Sequence, residues 1–176
     1  MKILKFISSA IMLVMVLTTA QAQTAPADVV KEWERAKAYT KDYLDAMPEN
    51  GYALKPTPAM RSFAEQMLHL GADNDVFAAA TMGQKTPEGM NQLEKTTEKT
   101  KVAVTKTVLA SYDYIIETIK KMNEAQLNEN VKLFDRFEIS RELALSKGFE
   151  HQTHHRGQTT VYIRLAGSIP PPEKLF

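Results

Sequence analysis

The chain has 176 residues, no cysteine and a formal net charge of +1, from 22 basic and 21 acidic side chains. The lack of cysteine excludes disulfides, cysteine nucleophiles, and zinc or iron–sulfur sites that depend on cysteine. A nearly neutral chain of this length argues against a large nucleic-acid footprint, and it suffices for one domain with a single core.

Residues 1–22 have the layout of a cleavable secretory signal peptide. Lys2 and Lys5 precede a mostly apolar run at residues 7–17, and the pattern Ala20-Gln21-Ala22 follows it. This order predicts cleavage after Ala22 and a mature protein, residues 23–176, in the periplasm or outside a bacterial cell. The run is shorter than the about 20 apolar residues of a membrane span, so we expect no stable membrane anchor after cleavage; an uncleaved anchor is the alternative.

Apolar residues at three- and four-residue steps predict four helices, of which the first two lie before residue 82. The first opens at Pro26 and ends before the turn-forming residues 48–51. The second has Thr57 as its N-cap and Pro58 at its first helical position, where a missing N–H costs nothing. Gly71 interrupts its apolar pattern and marks a kink or a close contact.

The third helix is predicted over roughly residues 101–126, and the fourth runs from the cap Ser140 to about Ala166, where Gly167 ends it. Between the second and third helices, residues 81–99 are polar and insertion-like. No segment has the pattern of a paired strand. The sequence therefore predicts an all-α protein, a four-helix bundle preceded by a signal peptide.

Three of the four histidines of the chain lie within five residues, in the fourth predicted helix. Residues four apart share a helix face, so His151 and His155 can point at one ion while His154 is turned away. The remaining histidine, His69, lies in the second helix beside its apolar stripe, and it can face inward as a third ligand. A histidine pair on a helix is also typical of a solvated surface, and spacing alone leaves both interpretations open.

The run His-Gln-Thr-His-His-Arg-Gly-Gln at residues 151–158, with the leucine, glycine and prolines of residues 161–171, closely resembles the C-terminal signature of the DinB-like family. Residues 61–65 with His69 resemble the histidine segment of the family's second helix, and residues 111–114 resemble its third helix. The likeness covers roughly residues 28–173, and the His-Arg-Gly-Gln segment is its most specific part.

The resemblance implies a four-helix bundle with helix directions up, down, down and up, often a homodimer, with a three-histidine metal site. Carried over by position, the metal ligands would be His69, His151 and His155. Such a site would take one divalent ion, and zinc, nickel, iron, copper and manganese are not distinguished.

Relatives with known activity are mostly thiol-dependent transferases and isomerases, or are named metal-dependent hydrolases. An exported protein would rarely meet a cytoplasmic thiol. We therefore expect a metal-dependent hydrolase or group transferase acting on an unidentified small molecule. The alternatives are a non-catalytic metal-binding or stress-response bundle acting as a dimer, and a metal-free bundle acting through its dimer surface.

The sequence also suggests roles for four charged side chains and one glycine near the predicted histidine cluster. Glu65 and Asp73, on or near the face of His69, are candidates for a general base or for an acceptor that orients a ligand. Arg156 and Arg164 would hold an anionic substrate or, as we prefer, pair with acids on a neighbouring helix. Gly157 is expected to permit close helix packing.

Overall fold

The computed structural model describes residues 25–85 and 90–176, so the predicted signal peptide at residues 1–22 lies outside the described residues. No helix in the described ranges is long and apolar enough to cross a membrane. In chain order the elements are α1 (Pro26–Ala46), α2 (Phe63–Thr81), α3 (Lys101–Lys120), α4 (Glu124–Leu127), β1 (Asn130–Leu133), β2 (Phe137–Ser140) and α5 (Arg141–Leu165), with 3₁₀ turns at Glu49–Gly51 and Met90–Lys95.

The start of α2 lies later than the sequence predicts. Ser62 is the N-cap: its hydroxyl accepts from the backbone N–H of Glu65, and the Glu65 carboxylate accepts from the backbone N–H of Ser62. This reciprocal capping box satisfies two amide donors that a helix end otherwise leaves unpaired. The predicted start at Thr57 and Pro58 is therefore wrong, because the stronger cap follows five residues later.

Helices α2 and α3 run in the same direction. Gly71 lies beside Val108, and Met82 contacts Thr118, so residue numbers rise together along the pair. A helix of 19 residues is about 28 Å long, and the chain must return over that length before α3 can begin parallel to it. Of the insertion-like stretch at residues 81–99, the described residues 82–85 and 90–99 belong to this crossover, and the 3₁₀ turn Met90–Lys95 lies against α2.

Helices α2 and α5 run in opposite directions. Phe77 packs against Gly148 at one end of the pair, and the Tyr162 hydroxyl donates to the backbone carbonyl of Arg61 at the other. Helix α1 packs antiparallel to α3 and parallel to α5. The predicted helical bundle is confirmed, with four long helices and the single-turn α4 in the described residues.

The bundle encloses one core to which all four long helices contribute. Trp33, Tyr39 and Tyr43 of α1 are buried there, and the Trp33 ring meets Tyr112 at a centroid distance of 6.0 Å. The largest fully buried side chains are Trp33, Tyr112, Tyr162, Phe63, Leu44, Met47, Met67, Leu68, Leu70, Ile115, Ile119 and Leu127. Burial of this apolar surface is the main favourable contribution to folding.

A β-hairpin between α4 and α5 is absent from the sequence prediction, which found no paired strand. Its strands pair antiparallel from Asn130 with Ser140 to Leu133 with Phe137. The third predicted helix is correspondingly shorter than expected, since α3 ends at Lys120 and α4 is a separate turn. The hairpin packs on α2 and α5, and so covers one end of the pair that carries the histidines.

The contact between α2 and α5 at Gly148 gives a stability prediction. A Cβ added to Gly148 would lie 2.9 Å from Phe77 Cγ, whereas one added to Gly157 on the same helix would meet nothing within 4 Å. The expectation that Gly157 permits close packing is therefore wrong. Gly148→Ala should lower the free energy of unfolding by about 1–3 kcal/mol through overpacking.

The matched control is Gly157→Ala, which should stabilise the protein by roughly 0.5–1 kcal/mol, the usual gain for alanine over glycine inside a helix. Urea unfolding monitored by circular dichroism measures both variants. Equal effects of the two substitutions would show that Phe77 does not fix the distance between the helices.

Candidate metal centre

The structure brings together three of the four histidines. Ring nitrogens of His69, His151 and His155, one from each residue, lie within 4.8 Å of one another. The ring centroids are 4.3 Å apart for His151 and His155, 4.5 Å for His69 and His155, and 5.4 Å for His69 and His151. These are the residues that the sequence pattern selects, and His154 is outside the cluster.

Helix geometry explains why His155 belongs to the cluster and His154 does not. His151 and His155 are one turn apart on α5 and face α2, which carries His69 opposite them. His154 is rotated by about 100° from His155 and is exposed. Two adjacent histidines thus have different environments because a helix turns between them.

Burial keeps His155 neutral. Loss of hydration, followed by the nearby imidazoles of His151 and His69, lowers the pKa of His155 from 6.5 to about 3. Only 8% of the residue is exposed. A neutral imidazole has a nitrogen lone pair to offer, which is the form that a metal ion requires.

Two glutamine side chains connect His155 to His154. The Gln66 amide lies 2.7 Å from His155 Nδ1 and contacts the Gln158 amide, which lies 2.7 Å from His154 Nε2. The two ends of an amide exchange by a 180° rotation. As the side chains are placed, Gln66 Nε2–H donates to His155 Nδ1. Rotation of both amides would instead let His155 Nδ1–H donate to Gln66 Oε1 and would leave the Nε2 lone pair of His155 for an ion.

Gln66 therefore positions His155, as the partners behind metal-binding histidines commonly do. Gln158 acts on His155 only through Gln66, which is the residue in contact with the imidazole.

A carboxylate, Asp73, lies next to the cluster. Its Oδ2 atom is 2.9 Å from His151 Nε2 and 3.7 Å from His69 Nε2, and its side chain is 15% exposed. Asp73 follows His69 by one helical turn, so both face α5. This position fits the predicted role of Asp73 as an acceptor or general base.

Glu65, the other predicted carboxylate, has a different role. It accepts from the backbone N–H of Ser62 and pairs with Lys99 at 2.9 Å and Lys55 at 3.3 Å. The backbone hydrogen bond from Ser62, followed by the one from Lys99, lowers the pKa of Glu65 from 4.5 to about 2. A carboxylate held so strongly as an anion is a poor proton acceptor, and it belongs to the helix cap.

Sequence reasoning missed Glu94. This residue lies in the crossover, and its Oε1 atom is 2.8 Å from His69 Nδ1, in ion-pair range but not aligned for a hydrogen bond. Arg61 donates to Glu94 through Nε at 2.7 Å. In the sequence, Glu94 is one acidic residue in a polar segment, and nothing there indicates a contact with His69. The contact depends on the position of the crossover along α2.

The prediction that Arg156 pairs with an acid is wrong. Arg156 is 5% exposed, donates to Gln152 Oε1 at 2.7 Å, and lies 4.5 Å from the centre of the Tyr39 ring. Arg164 is exposed, and neither arginine has a carboxylate partner within residues 25–85 and 90–176. Arg156 points into the interior toward Thr40 of α1, on a face of α5 about 100° from that of His155.

The donor set fits a divalent ion. Three imidazoles converge, and the Nδ1 atom of His151 is buried without a hydrogen-bond partner. A buried polar atom without a partner is costly, and coordination to an ion is one arrangement that removes the cost. The cluster is thus compatible with one zinc, nickel, iron or similar ion.

The fold and the sequence both match known proteins. The family model described as "DinB family" matches residues 17–175. Protein YjoA of Bacillus subtilis (strain 168) is 23% identical over 147 residues, which cover 82% of this chain and 92% of YjoA.

Solved structures share the fold at low identity. A DinB-like protein from Bacillus cereus ATCC 10987 superposes with a TM-score of 0.75 at 17% identity, covering 86% of this chain and 99% of that one. The YjoA structure gives 0.65 at 19% identity, covering 85% and 96%. A conserved protein from Enterococcus faecalis gives 0.66 at 16% identity, covering 82% and 98%. Because the family model matches residues 17–175 of the 176-residue chain, the chain belongs to the DinB family.

Proposed function

We propose that the protein binds one divalent metal ion through His69, His151 and His155, and acts on a small molecule as a hydrolase or group transferase. The observation that carries the proposal is the convergence of the three imidazoles beside the Asp73 carboxylate. A bound ion would supply Lewis acidity, which lowers the pKa of water or polarises a substrate oxygen.

The residues around the cluster support a catalytic role. Gln66 orients His155, and Arg61 holds Glu94 beside His69. Asp73 Oδ2 is the atom best placed to accept a proton from water or from a substrate hydroxyl in the site.

Metal binding is tested by thermal unfolding of the metal-free protein with and without zinc or nickel. An ion that binds only the folded state stabilises it by about 2.7 kcal/mol at a hundredfold excess over Kd. The melting temperature should rise by several degrees, the shift expected for a domain of this size. His69→Ala, His151→Ala and His155→Ala should each lose most of the rise.

His154→Ala is the matched control and should keep the metal-induced rise, because His154 is outside the cluster. Loss of the rise in His154→Ala together with its retention in His155→Ala would show that the ligand assignment is wrong.

Catalysis is tested with 4-nitrophenyl acetate, a simple ester, as a probe for the zinc-loaded protein. Asp73→Asn should slow hydrolysis by a factor of about 10²–10⁴, the usual effect of removing a general base. Glu65→Gln is the control and should leave the rate nearly unchanged, since Glu65 is bound to the helix cap. Equal, small effects of both substitutions would favour the non-catalytic metal-binding alternative.

We also propose that the protein is exported, on the strength of the signal-peptide pattern in residues 1–22. N-terminal sequencing of the protein from a periplasmic or secreted fraction should then give Gln23 as the first residue. Recovery of the chain from the inner membrane with Met1 intact would contradict export by cleavage.

A further inference from the structure

A cavity of about 550 Å³ lies between the β-hairpin and α5. One end of it reaches the histidine cluster through His151, and the remainder is almost entirely apolar. Its main lining side chains are Phe77, Phe134, Phe137, Ile139, Leu143 and His151. The volume falls within the range of about 300–1,000 Å³ that small-molecule sites occupy.

Two of the three aromatic rings in this cavity remain exposed. Phe134 is 46% exposed and Phe137 is 49% exposed, although Phe134 packs against the buried Phe77 at a centroid distance of 5.7 Å. Arg136 lies over the Phe137 ring, with its guanidinium carbon 5.1 Å from the centroid. The rings are therefore held in place while one side of them still faces open space.

The backbone at the hairpin tip is unusual for an aromatic residue. Phe134 and Asp135 both have φ of +54°. Two-residue hairpin turns with positive φ at both positions favour glycine or asparagine, because a bulky side chain is strained at positive φ. Strained residues are concentrated at functional sites, where the strain holds a side chain in a required position. Phe134 stands at this turn, and its side chain lines the cavity.

The charged groups at the rim neutralise each other. Lys147 and Glu150 form an ion pair at 2.9 Å, and both line the cavity together with His154. The rim therefore offers little net charge to a ligand. Polar atoms capable of fixing a ligand are concentrated at the His151 end, next to Asp73.

We propose that this cavity binds the ring-bearing, apolar part of the substrate, whose oxygen-donor head lies at the histidine cluster. The ligand class is a small molecule with an aromatic or similarly flat apolar body and one carboxylate, carbonyl or related head group. Phe134 is a specificity-determining residue for that body. This inference rests on the proposed metal function, because the head group needs the ion held by the histidines.

The test compares two probes that share a head group. Acetohydroxamate and benzohydroxamate are titrated into the cobalt(II)-loaded protein, and binding is followed by the visible absorption of the cobalt. Benzohydroxamate should bind about tenfold or more tightly, because its ring is buried in the cavity. Phe134→Gly should weaken benzohydroxamate by about 3- to 10-fold, the contribution of an aromatic contact, and leave acetohydroxamate unchanged within about twofold.

Glycine is chosen at position 134 because it tolerates the positive φ, so the hairpin should be kept while the ring is lost. Urea unfolding of the variant checks this directly. Tyr114→Ala is the matched control: Tyr114 is 40% exposed on α3 and does not line the cavity, so its removal should change neither affinity.

The outcomes separate this inference from the metal proposal. Equal affinities of the two probes for a protein that binds cobalt would overturn the substrate class and leave the metal site intact. Failure to bind cobalt would overturn both. If Phe134→Gly changes only the oligomeric state by size-exclusion chromatography and not the probe affinities, the rings form an interface between copies and the inference is wrong.

Discussion

The close packing of α2 against α5 at Gly148 determines the geometry of the histidine cluster. The Phe77 ring lies where a side chain at position 148 would be, and its centroid is 5.9 Å from that of His151, one turn further along α5. Because the two helices are antiparallel, this contact also sets how far His69 lies from His151 and His155. A wider spacing would move the ring nitrogens apart and leave two surface histidines with no third partner.

The polar and apolar surroundings of the cluster come from different parts of the chain. Gln66 and Asp73 come from α2 itself and act on the ring nitrogens directly. The crossover brings Glu94 to the same helix, whereas the hairpin closes the far end with aromatic side chains. The helices thus carry the three histidines and Asp73, and the segments between them contribute Glu94 and an apolar wall beside the cluster.

The sequence was sufficient for the parts that depend on helix periodicity and local caps. The fourth predicted helix, from Ser140 to about Ala166, agrees with α5 to within a residue, and the i, i+4 rule separates His155 from His154. The start of α2 follows from the capping-box spacing of Ser62 and Glu65, a stronger signal than the cap Thr57 with Pro58 behind it.

Other features depend on contacts between segments far apart in the chain. The hairpin was missed because its strands have four residues each and its turn contains Phe134 where glycine or asparagine is the usual signal. Glu94 and the partners of Arg156 follow from the crossover and from the packing of α1, neither of which appears in a periodicity pattern. Local rules therefore predicted the histidine cluster but not its surroundings.

X-ray diffraction from crystals of the zinc-loaded protein can show whether one ion is held jointly by His69, His151 and His155. An anomalous difference map at the zinc edge should show one strong peak, about 2.1 Å from one nitrogen of each of the three histidines. A peak bound by His154, or no peak among the three histidines at full zinc occupancy in solution, would contradict the account.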